Sequence, residues 1–356
     1  MMRERIKELF GKTKVDAIAL RTFPNNPDAS FPYFSGLPSG FLTNNFLLLG
    51  KKKKPLVVRT VLDPEVKGKK LRIKTVKKRK EMESLLKKEL KGKKIGVNKS
   101  IYTISSFKAL QKALPKKRFV DISEQLMETR NIKSNAEIEK IAKAAKITEK
   151  VLRKVPRLFR KGITEKQLAL KIEILLREQT GESLAFPVIV ANGRNSTFPH
   201  HVPSDKKIRK GLILIDCGAR YKGYCGDLTR MFSVGRPTKQ EQKVYSAVFE
   251  AKKIGEELSV EGASASQIFK KVSSFLKKST GQKLVHGLGH GLGLETHDAP
   301  CGFLPDSKTV LGRNMVLTVE PAVYLKGFGI RIEDDIVVKT GKCRKLSNAP
   351  KALISL

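Results

Sequence analysis

His286-Gly-Leu-Gly-His290-Gly-Leu-Gly-Leu-Glu-Thr-His297 is the stretch around which the chain is organised. It holds three of the protein's five histidines and interleaves them with four glycines, a composition that a packed helix or an ordinary core strand tolerates poorly. The other two histidines, His200 and His201, are adjacent in a second loop-like stretch. Every imidazole of the chain therefore lies between residues 200 and 297, and we expect the functional site there.

Four strand-like runs near these histidines carry a carboxylate where a core strand normally has an apolar residue. Asp216 ends the run Leu-Ile-Leu-Ile-Asp and Asp227 opens the next one, eleven residues later. Glu320 ends Val-Leu-Thr-Val-Glu, and Glu333 follows thirteen residues later within Gly-Ile-Arg-Ile-Glu-Asp-Asp-Ile. One hairpin can bring each pair together. Because an unpaired buried charge is costly, such a cluster must be protonated, paired with cations or bound to metal.

Four carboxylates and one imidazole form an oxygen-rich ligand set that suits two divalent metal ions, with Mn(II) or Co(II) favoured and Fe(II) or Zn(II) also compatible. Two ions that share carboxylates can activate a water between them and polarise a substrate carbonyl, which is what metal-assisted hydrolysis requires. A single carboxylate at a strand end is more often a cap or an ion-pair partner. Five such residues together favour the metal site.

The chain is predicted to form two domains, 1–130 and 131–356. The first alternates short strands and helices in an α/β pattern, with strands at 15–20, 46–49, 55–60, 71–76 and 94–97 and helices at 3–10 and 80–90. The second is α+β, with an antiparallel sheet covered by helices. Its strands are predicted at 186–191, 212–216, 227–234, 315–320 and 329–338. Capping boxes at Ser134/Glu137, Thr164/Gln167, Thr238/Glu241 and Ser264/Gln267 each predict the start of a helix.

The net charge of +38 is the unusual bulk property of the sequence. Such a charge attracts polyanions, so nonspecific binding of nucleic acid is expected at low salt. The four cysteines form no C-x-x-C pair and are interpreted as free thiols; strand alternation points Cys217 away from the face of Asp216, so we expect it to pack in the core. No apolar segment resembles a signal peptide or a membrane span, which favours a soluble, cytoplasmic protein.

Through residues 134–350 the sequence resembles the pita-bread metallopeptidases, which include methionine aminopeptidase, aminopeptidase P, prolidase and creatinase. The resemblance implies that Asp216 chelates one metal ion and that Asp227 and Glu333 bridge both ions. His290 and Glu320 would complete the second metal site. The interleaved glycines would let the backbone of the histidine stretch approach the metal and the substrate.

The remaining histidines are similar to those of the proline-directed members of this family. Residues 195–201, Asn-Ser-Thr-Phe-Pro-His-His, look like their Pro-His segment, and His286, His297 and Arg331 occupy matching positions around the metal ligands. By this resemblance His200 and His297 stabilise the tetrahedral intermediate and His286 contacts substrate. Asp298, where Glu is more usual, departs from the pattern.

Residues 1–130 look like the creatinase/prolidase N-terminal domain, which argues against a simple methionine aminopeptidase. The expected function is a metallo-exopeptidase that cleaves the bond between an N-terminal residue and proline, either as an Xaa-Pro dipeptidase or as an Xaa-Pro aminopeptidase. Its partners would be proline-containing peptides and a second copy of the chain in a homodimer. The alternatives are a creatinase-like C–N hydrolase and a non-catalytic pita-bread protein that binds nucleic acid or a protein through its basic surface.

Overall fold

The chain divides into two units, Met1–Thr129 and Arg130–Leu356. The computed structural model describes residues 2–23, 26–37, 44–66, 68, 70–180, 182–300, 302–350 and 352–356. Within that part of the chain no helix combines the length and apolarity needed to cross a bilayer.

The first unit is built on a mixed sheet of predominantly apolar strands. Its strands are β1 (Ala17–Arg21), β2 (Phe46–Gly50), β3 (Leu56–Thr60), β4 (Arg72–Val76), β5 (Lys94–Val97) and β6 (Arg118–Asp121), in the order β4-β3-β2-β1-β5-β6. Its helices are α1 (Met2–Lys12), α2 (Ser30–Ser35), α3 (Arg79–Glu89), α4 (Ile104–Ala113) and α5 (Ser123–Glu128). β1 pairs antiparallel with β2 and parallel with β5, so the predicted α/β pattern is confirmed. The sequence reading missed β6, a short edge strand that follows a run of basic residues.

The helices of the second unit are α6 (Asn135–Leu152), α7 (Val155–Leu158), α8 (Glu165–Thr180), α9 (Lys239–Leu258) and α10 (Ala265–Thr280). Three predicted capping boxes are present, because the side chain and backbone of each pair, Ser134/Glu137, Thr164/Gln167 and Thr238/Glu241, bond reciprocally. At the fourth position Ser264 is the N-cap residue of α10, so the predicted helix start is confirmed, but its hydroxyl lies 3.2 Å from that of Ser266 and makes no capping bond.

The strands of the second unit form several small sheets rather than the single antiparallel sheet that the sequence predicted. They are β7 (Ile189–Asn192), β8 (Gly211–Cys217), β9 (Arg220–Tyr221), β10 (Tyr224–Cys225), β11 (Leu228–Val234), β12 (Val316–Val319), β13 (Ala322–Leu325), β14 (Phe328–Arg331), β15 (Asp334–Val337), β16 (Arg344–Lys345) and β17 (Ile354–Ser355). Among the described residues the sheets are β17-β11-β8-β7, β12-β15-β16, β13-β14 and β9-β10, and only β17 pairs in parallel.

The run 329–338, predicted as one strand, is two strands in different sheets. β14 pairs with β13 and β15 pairs with β12, so the chain changes partner at Ile332 and Glu333. At this break the Glu333 amide donates to the carbonyl of Thr229 in β11, 3.2 Å away. The change of partner therefore places Glu333 between two sheets. The α+β class of this unit, beside a smaller α/β unit, is confirmed.

Candidate metal centre

Two antiparallel strand pairs position the predicted carboxylates. In the first, β8 and β11 pair with Thr229 opposite Asp216, and Asp227 directly precedes β11. In the second, β12 and β15 pair with Val319 opposite Asp334, so Glu320 follows one strand and Glu333 precedes the other. The hairpin arrangement predicted for each pair is present, with the short hairpins β9-β10 and β13-β14 inserted at the bends.

The side chains from these strand ends meet the histidine stretch. One donor atom from each of Asp227, His290 and Glu333 lies within 4.8 Å of the other two. The Nε2 atom of His290 is 3.7 Å from Asp227 Oδ2 and 3.6 Å from Glu320 Oε1. Asp216 lines the same cavity. The structure thus brings all five predicted ligands to one place, with three of them in the tightest group.

The electrostatics of this cluster favour bound cations. Burial, reinforced by the neighbouring carboxylates, raises the pKa of Asp227 and of Glu333 well above the usual range. Burial also raises the pKa of Glu320 to about 7. The buried atoms Asp216 Oδ1 and Asp227 Oδ1 have no hydrogen-bond partner among the described residues. An excess of buried negative charge with unpartnered oxygens is the environment that divalent ions neutralise, so these residues fit a metal site.

The imidazole of His290 is in the form that a metal ligand needs. Burial lowers the pKa of His290 to about 4, so the ring is neutral near pH 7. Its Nδ1 lies 3.1 Å from the carbonyl oxygen of Gly291, which leaves Nε2 towards the carboxylates. A backbone partner on one ring nitrogen is the usual way in which a ligating histidine is oriented.

The glycines beside His290 allow close backbone packing, and Gly287 and Gly289 also line the cavity. A Cβ on Gly289 would lie 2.0 Å from the carbonyl oxygen of Thr318 in β12, and one on Gly291 would lie 2.3 Å from that of Asp298. Thr318 also donates its amide to the carbonyl of His290 over 2.8 Å. These close contacts with Thr318 and Asp298 hold the His290 backbone in place. That the glycines let the backbone approach metal and substrate stays a prediction.

A hydrogen-bond network joins the two carboxylate pairs. Arg331 donates from Nη2 to Asp216 Oδ2 over 2.6 Å and from Nε to the Thr229 hydroxyl over 3.2 Å. The Thr229 hydroxyl in turn donates to Glu333 Oε2 over 2.7 Å. Sequence reasoning missed Thr229, although it lies two residues after Asp227 and strand alternation puts both on one face. It also missed Tyr324, whose hydroxyl lies 3.0 Å from His286 Nε2 and 3.1 Å from Arg331 Nη1.

The cluster lies in a cavity of about 870 Å³, which the predicted catalytic residues His200, His286, His297, Glu320 and Arg331 also line. The rings of His297 and His290 are 4.1 Å apart between centroids. Apolar side chains supply much of the remaining wall, among them Phe186, Val188 and Phe198. A mainly apolar cavity with a few convergent polar groups is typical of a substrate-binding site.

Two residues beside the site have structural partners. His201, next to His200, has Nε2 2.9 Å from Glu165 Oε2, within a set of bonds that ties residues 192–204 to α8. Asp298 is buried and accepts from Arg130 Nε over 2.9 Å and from the amides of Leu294 and Ala299. Through these bonds Asp298, at the position where the family pattern usually has Glu, holds together the loop that carries His297.

The cysteines near the ligands are core residues. Cys217 packs in the apolar core against which β8 lies, on the opposite face of the strand from the cavity, as predicted. Burial raises the pKa of Cys217 well above its usual range and that of Cys225 to about 11, so both are protonated thiols. Cys343 is also free, whereas Cys301 lies outside the described residues.

Fold and site together define a metal-dependent hydrolase: an α+β unit whose strand ends gather carboxylates and an imidazole in a substrate-sized cavity. Residues 139–340 match the model of metallopeptidase family M24, and residues 3–132 match that of the creatinase/prolidase N-terminal domain. The chain belongs to metallopeptidase family M24. The predicted pita-bread fold and the predicted metallo-exopeptidase class are confirmed.

Several characterised or solved proteins are similar along nearly the whole chain. The Xaa-Pro dipeptidase of Pyrococcus horikoshii is 32% identical over 99% of both chains. The structure of an Xaa-Pro dipeptidase from Bacillus anthracis superposes with a TM-score of 0.89 at 30% identity, covering 100% of this chain and 99% of that one. An X-Pro aminopeptidase from Thermotoga maritima gives a TM-score of 0.86 at 30% identity, covering 98% and 99%.

Proposed function

We propose that this protein hydrolyses the peptide bond between an N-terminal residue and a following proline, using two divalent metal ions. The observation that carries the proposal is the buried carboxylate cluster at the base of the 870 Å³ cavity, with unpartnered oxygens on Asp216 and Asp227. The substrate class is supported by similar proteins that act as Xaa-Pro dipeptidases and X-Pro aminopeptidases. The amide nitrogen of proline carries no hydrogen, so this bond needs a dedicated site.

The five residues proposed to hold the two ions are Asp216, Asp227, His290, Glu320 and Glu333. Their oxygen-rich composition favours Mn(II) or Co(II), with Fe(II) or Zn(II) also compatible. When bound, the ions would supply Lewis-acid polarisation of the scissile carbonyl and lower the pKa of a water molecule. Asp227 and Glu333, whose donor atoms lie closest together with that of His290, are the proposed bridging pair.

The remaining polar residues of the cavity are proposed to bind and orient the substrate. His200 and His297 are exposed within the cavity and can donate an N–H to the oxygen that becomes negatively charged as the carbonyl is attacked. Glu320, besides its place among the proposed ligands, is proposed to move a proton during the reaction. Arg331 fixes Asp216 through its 2.6 Å bond, and His286 is held by Tyr324 at the cavity wall.

The test is hydrolysis of a panel of Xaa-Pro peptides by purified protein with added Mn(II) or Co(II). Release of the N-terminal amino acid is the measurement. Asp227→Ala should abolish this activity. Asp205→Ala is the matched control, because Asp205 is an exposed carboxylate whose nearest ion-pair partner, Lys166, is also exposed; it should retain full activity.

A metal-loaded protein that leaves every Xaa-Pro peptide intact, yet binds RNA tightly at physiological salt, would reject the enzymatic proposal in favour of a binding role for the +38 charge. Nonspecific attraction of nucleic acid, the homodimer and a cytoplasmic location remain predictions. Salt titration of RNA binding would test the first, and sedimentation analysis would test the second.

A further inference from the structure

The position of His200 in the cavity depends on the loop that carries it. The loop lies between β7 and β8, where the 3₁₀ helix Gly193–Thr197 is followed by turns and irregular structure up to residue 204. The imidazole of His200 is exposed within the cavity and has no hydrogen-bond partner in the described part of the chain. The proposed N–H donor to the reacting oxygen is therefore placed by the backbone on either side of it.

The segment that leads into His200 is held against β14. The carbonyl of Pro199, the residue before His200, accepts from Arg331 Nη1 over 3.2 Å. The Ser196 hydroxyl accepts from the amide of Gly329 over 2.8 Å, and a Cβ on Gly329 would lie 2.1 Å from the Ser196 carbonyl oxygen. Because Arg331 and Gly329 both belong to β14, this strand fixes one side of the loop.

The segment that follows His200 is held by Glu165, at the start of α8. The side chain of Glu165 is buried, with 1% of its surface exposed. Its Oε2 lies 2.9 Å from Nε2 of His201 and accepts from the amide and the hydroxyl of Ser204 over 3.1 Å and 2.6 Å. Each neighbour of His200 in the sequence is thus bonded to a side chain from another element.

The same carboxylate also holds the start of the loop. The Asn192 amide donates to Glu165 Oε1 over 2.7 Å, and the side-chain amide of Asn195 donates to both oxygens over 2.9 Å and 3.0 Å. Although burial opposes ionisation, the bonds donated by Ser204 and the other loop residues lower the pKa of Glu165, which is a carboxylate near pH 7. A buried carboxylate whose charge is satisfied by donors from one loop is a strong anchor for that loop.

We propose that Glu165 is a positioning residue, which sets the place of the His200 imidazole in the cavity by joining the two ends of its loop. The inference rests on the proposed Xaa-Pro peptidase activity and adds a residue that is not among the described residues lining the cavity. Without the carboxylate, the donors of His201 and Ser204 lose their acceptor and the imidazole can move relative to the metal centre. A displacement of about 1 Å at a reacting group can cost about a hundredfold in rate.

The experiment is a double-mutant cycle on the metal-loaded, full-length protein, with Leu-Pro and Leu-Pro-Leu as substrates. Glu165→Gln keeps the size of the side chain but turns one acceptor into a donor that faces the donors of the loop. We expect kcat to fall by about 10–100-fold with KM changed by less than about twofold, because His200 is proposed to act on the oxygen that becomes charged in the transition state. In a His200→Ala background the same substitution should lower kcat by less than about twofold.

Two further changes separate positioning from stability. Glu241→Gln alters another buried carboxylate at the start of a helix, one that caps α9 through Thr238, and should leave kcat unchanged. Ser204→Ala removes a single bond to Glu165 and should lower kcat by about two- to fivefold, whereas Ser204→Thr keeps the hydroxyl and should restore it. As the milder change, Ser204→Ala also decides the question where Glu165→Gln lowers the yield of folded protein.

Labelling with ¹⁵N-histidine gives a readout that does not depend on turnover, because the chain has only five histidines. Glu165→Gln should shift or broaden the imidazole signals of His200 and His201 and leave that of His286 unchanged. An equal loss of kcat in the parent and His200→Ala backgrounds, or an unmoved His200 signal, would overturn the inference while upholding the peptidase. A parent protein that cleaves neither peptide would refute the proposed function, and the histidine spectra would still test whether Glu165 positions His200.

Discussion

Glu333 and Asp334 are adjacent in sequence and equally buried, yet they belong to two charge clusters of opposite character. Glu333 faces the candidate metal centre, where carboxylates outnumber cations and burial raises its pKa well above the usual range. Asp334 faces a cluster of paired charges, the paired cluster. Although burial opposes ionisation, the cations of Arg230 and Lys252 hold the pKa of Asp334 at about 2.

The paired cluster continues from the core to the surface. Lys252 is completely buried and also bonds Glu256 Oε1 over 2.6 Å, and Glu256 is paired on its other oxygen with Lys345. Each charge of this cluster has an opposite charge in contact, whereas the metal centre leaves carboxylate oxygens without partners. Internally balanced charges stabilise a fold when their geometry is good, and unbalanced ones need a bound ion. The comparison therefore separates structural charges from functional ones.

Asp227→Asn gives the largest expected effect because it removes a proposed bridging ligand. We expect hydrolysis to fall by at least about a thousandfold, which corresponds to about 4 kcal/mol of transition-state stabilisation. Bound metal, measured by mass spectrometry, should fall with it. Thermal unfolding in EDTA should show a metal-free variant at least as stable as the parent, since a repelling charge is gone. A clear loss of stability in the metal-free variant would show that Asp227 is a structural charge rather than a functional one.

Lys252→Met should have the opposite consequence, because it lowers the stability of the fold. It leaves Asp334 and Glu256 buried with fewer cations, so the free energy of unfolding should fall by about 3–5 kcal/mol in urea titrations. The neighbouring Lys253 is half-exposed, and its ion pair is with the exposed Glu250. Lys253→Met should therefore change stability by less than about 0.5 kcal/mol. Equal effects of the two substitutions would show that the buried paired cluster contributes no more to the free energy of unfolding than an exposed ion pair does.

The two clusters should also respond oppositely to pH in EDTA. The pKa of Glu320 is raised to about 7, so the folded state binds this proton more tightly than the unfolded state, and the contribution of Glu320 to stability should rise by on the order of 2–3 kcal/mol as pH falls from 8 to 5. The pKa of His290, lowered to about 4, opposes this rise below about pH 6.5, because the unfolded state then binds a proton that the folded imidazole does not. The depressed pKa of Asp334 contributes stability above pH 4 that is lost as pH falls towards 2.

Urea titrations between pH 8 and pH 3 on the parent and on Glu320→Gln would isolate the contribution of Glu320 as the difference between the two proteins. In EDTA the variant should be more stable than the parent at pH 8, and the difference should shrink as pH falls to 5. Saturating Mn(II) should reverse the sign of the difference at pH 8, because the ligands must be deprotonated to bind metal. Equal pH dependence of the two proteins between pH 8 and pH 5 in EDTA would contradict the assignment of unbalanced charge to the metal centre.

Thr229→Val gives the smallest expected change. The hydroxyl of Thr229 links Arg331 to Glu333, whereas the next residue, Arg230, faces the paired cluster. Removing the hydroxyl should weaken metal affinity by about 10–100-fold, as for other partners of metal ligands, and titration calorimetry would measure it. Thr229→Ser keeps the hydroxyl and should restore affinity. Equal losses in both variants would indicate a packing role instead.

Much of the metal centre could be predicted from local patterns. Asp216, Asp227 and Glu320 stand at the ends of short apolar runs, and their spacing allows hairpins, so residue type and strand period were sufficient. The same reasoning read residues 329–338 as one strand, because the alternation of side chains continues through Glu333 and no local signal marks a change of sheet. Lys252 was missed because a lysine in an amphipathic helix is ordinarily on the solvent face.

The sequence by itself determined which side chains share a face: the period of two puts Thr229 and Glu333 towards the metal centre and Arg230 and Asp334 away from it. Only the tertiary structure decided which of these buried charges are balanced. The ion pairs that neutralise Asp334 join residues 82 and 104 positions apart, to Lys252 and Arg230. The physical reason is that alternation is a property of each strand alone, whereas charge balance depends on contacts between distant elements.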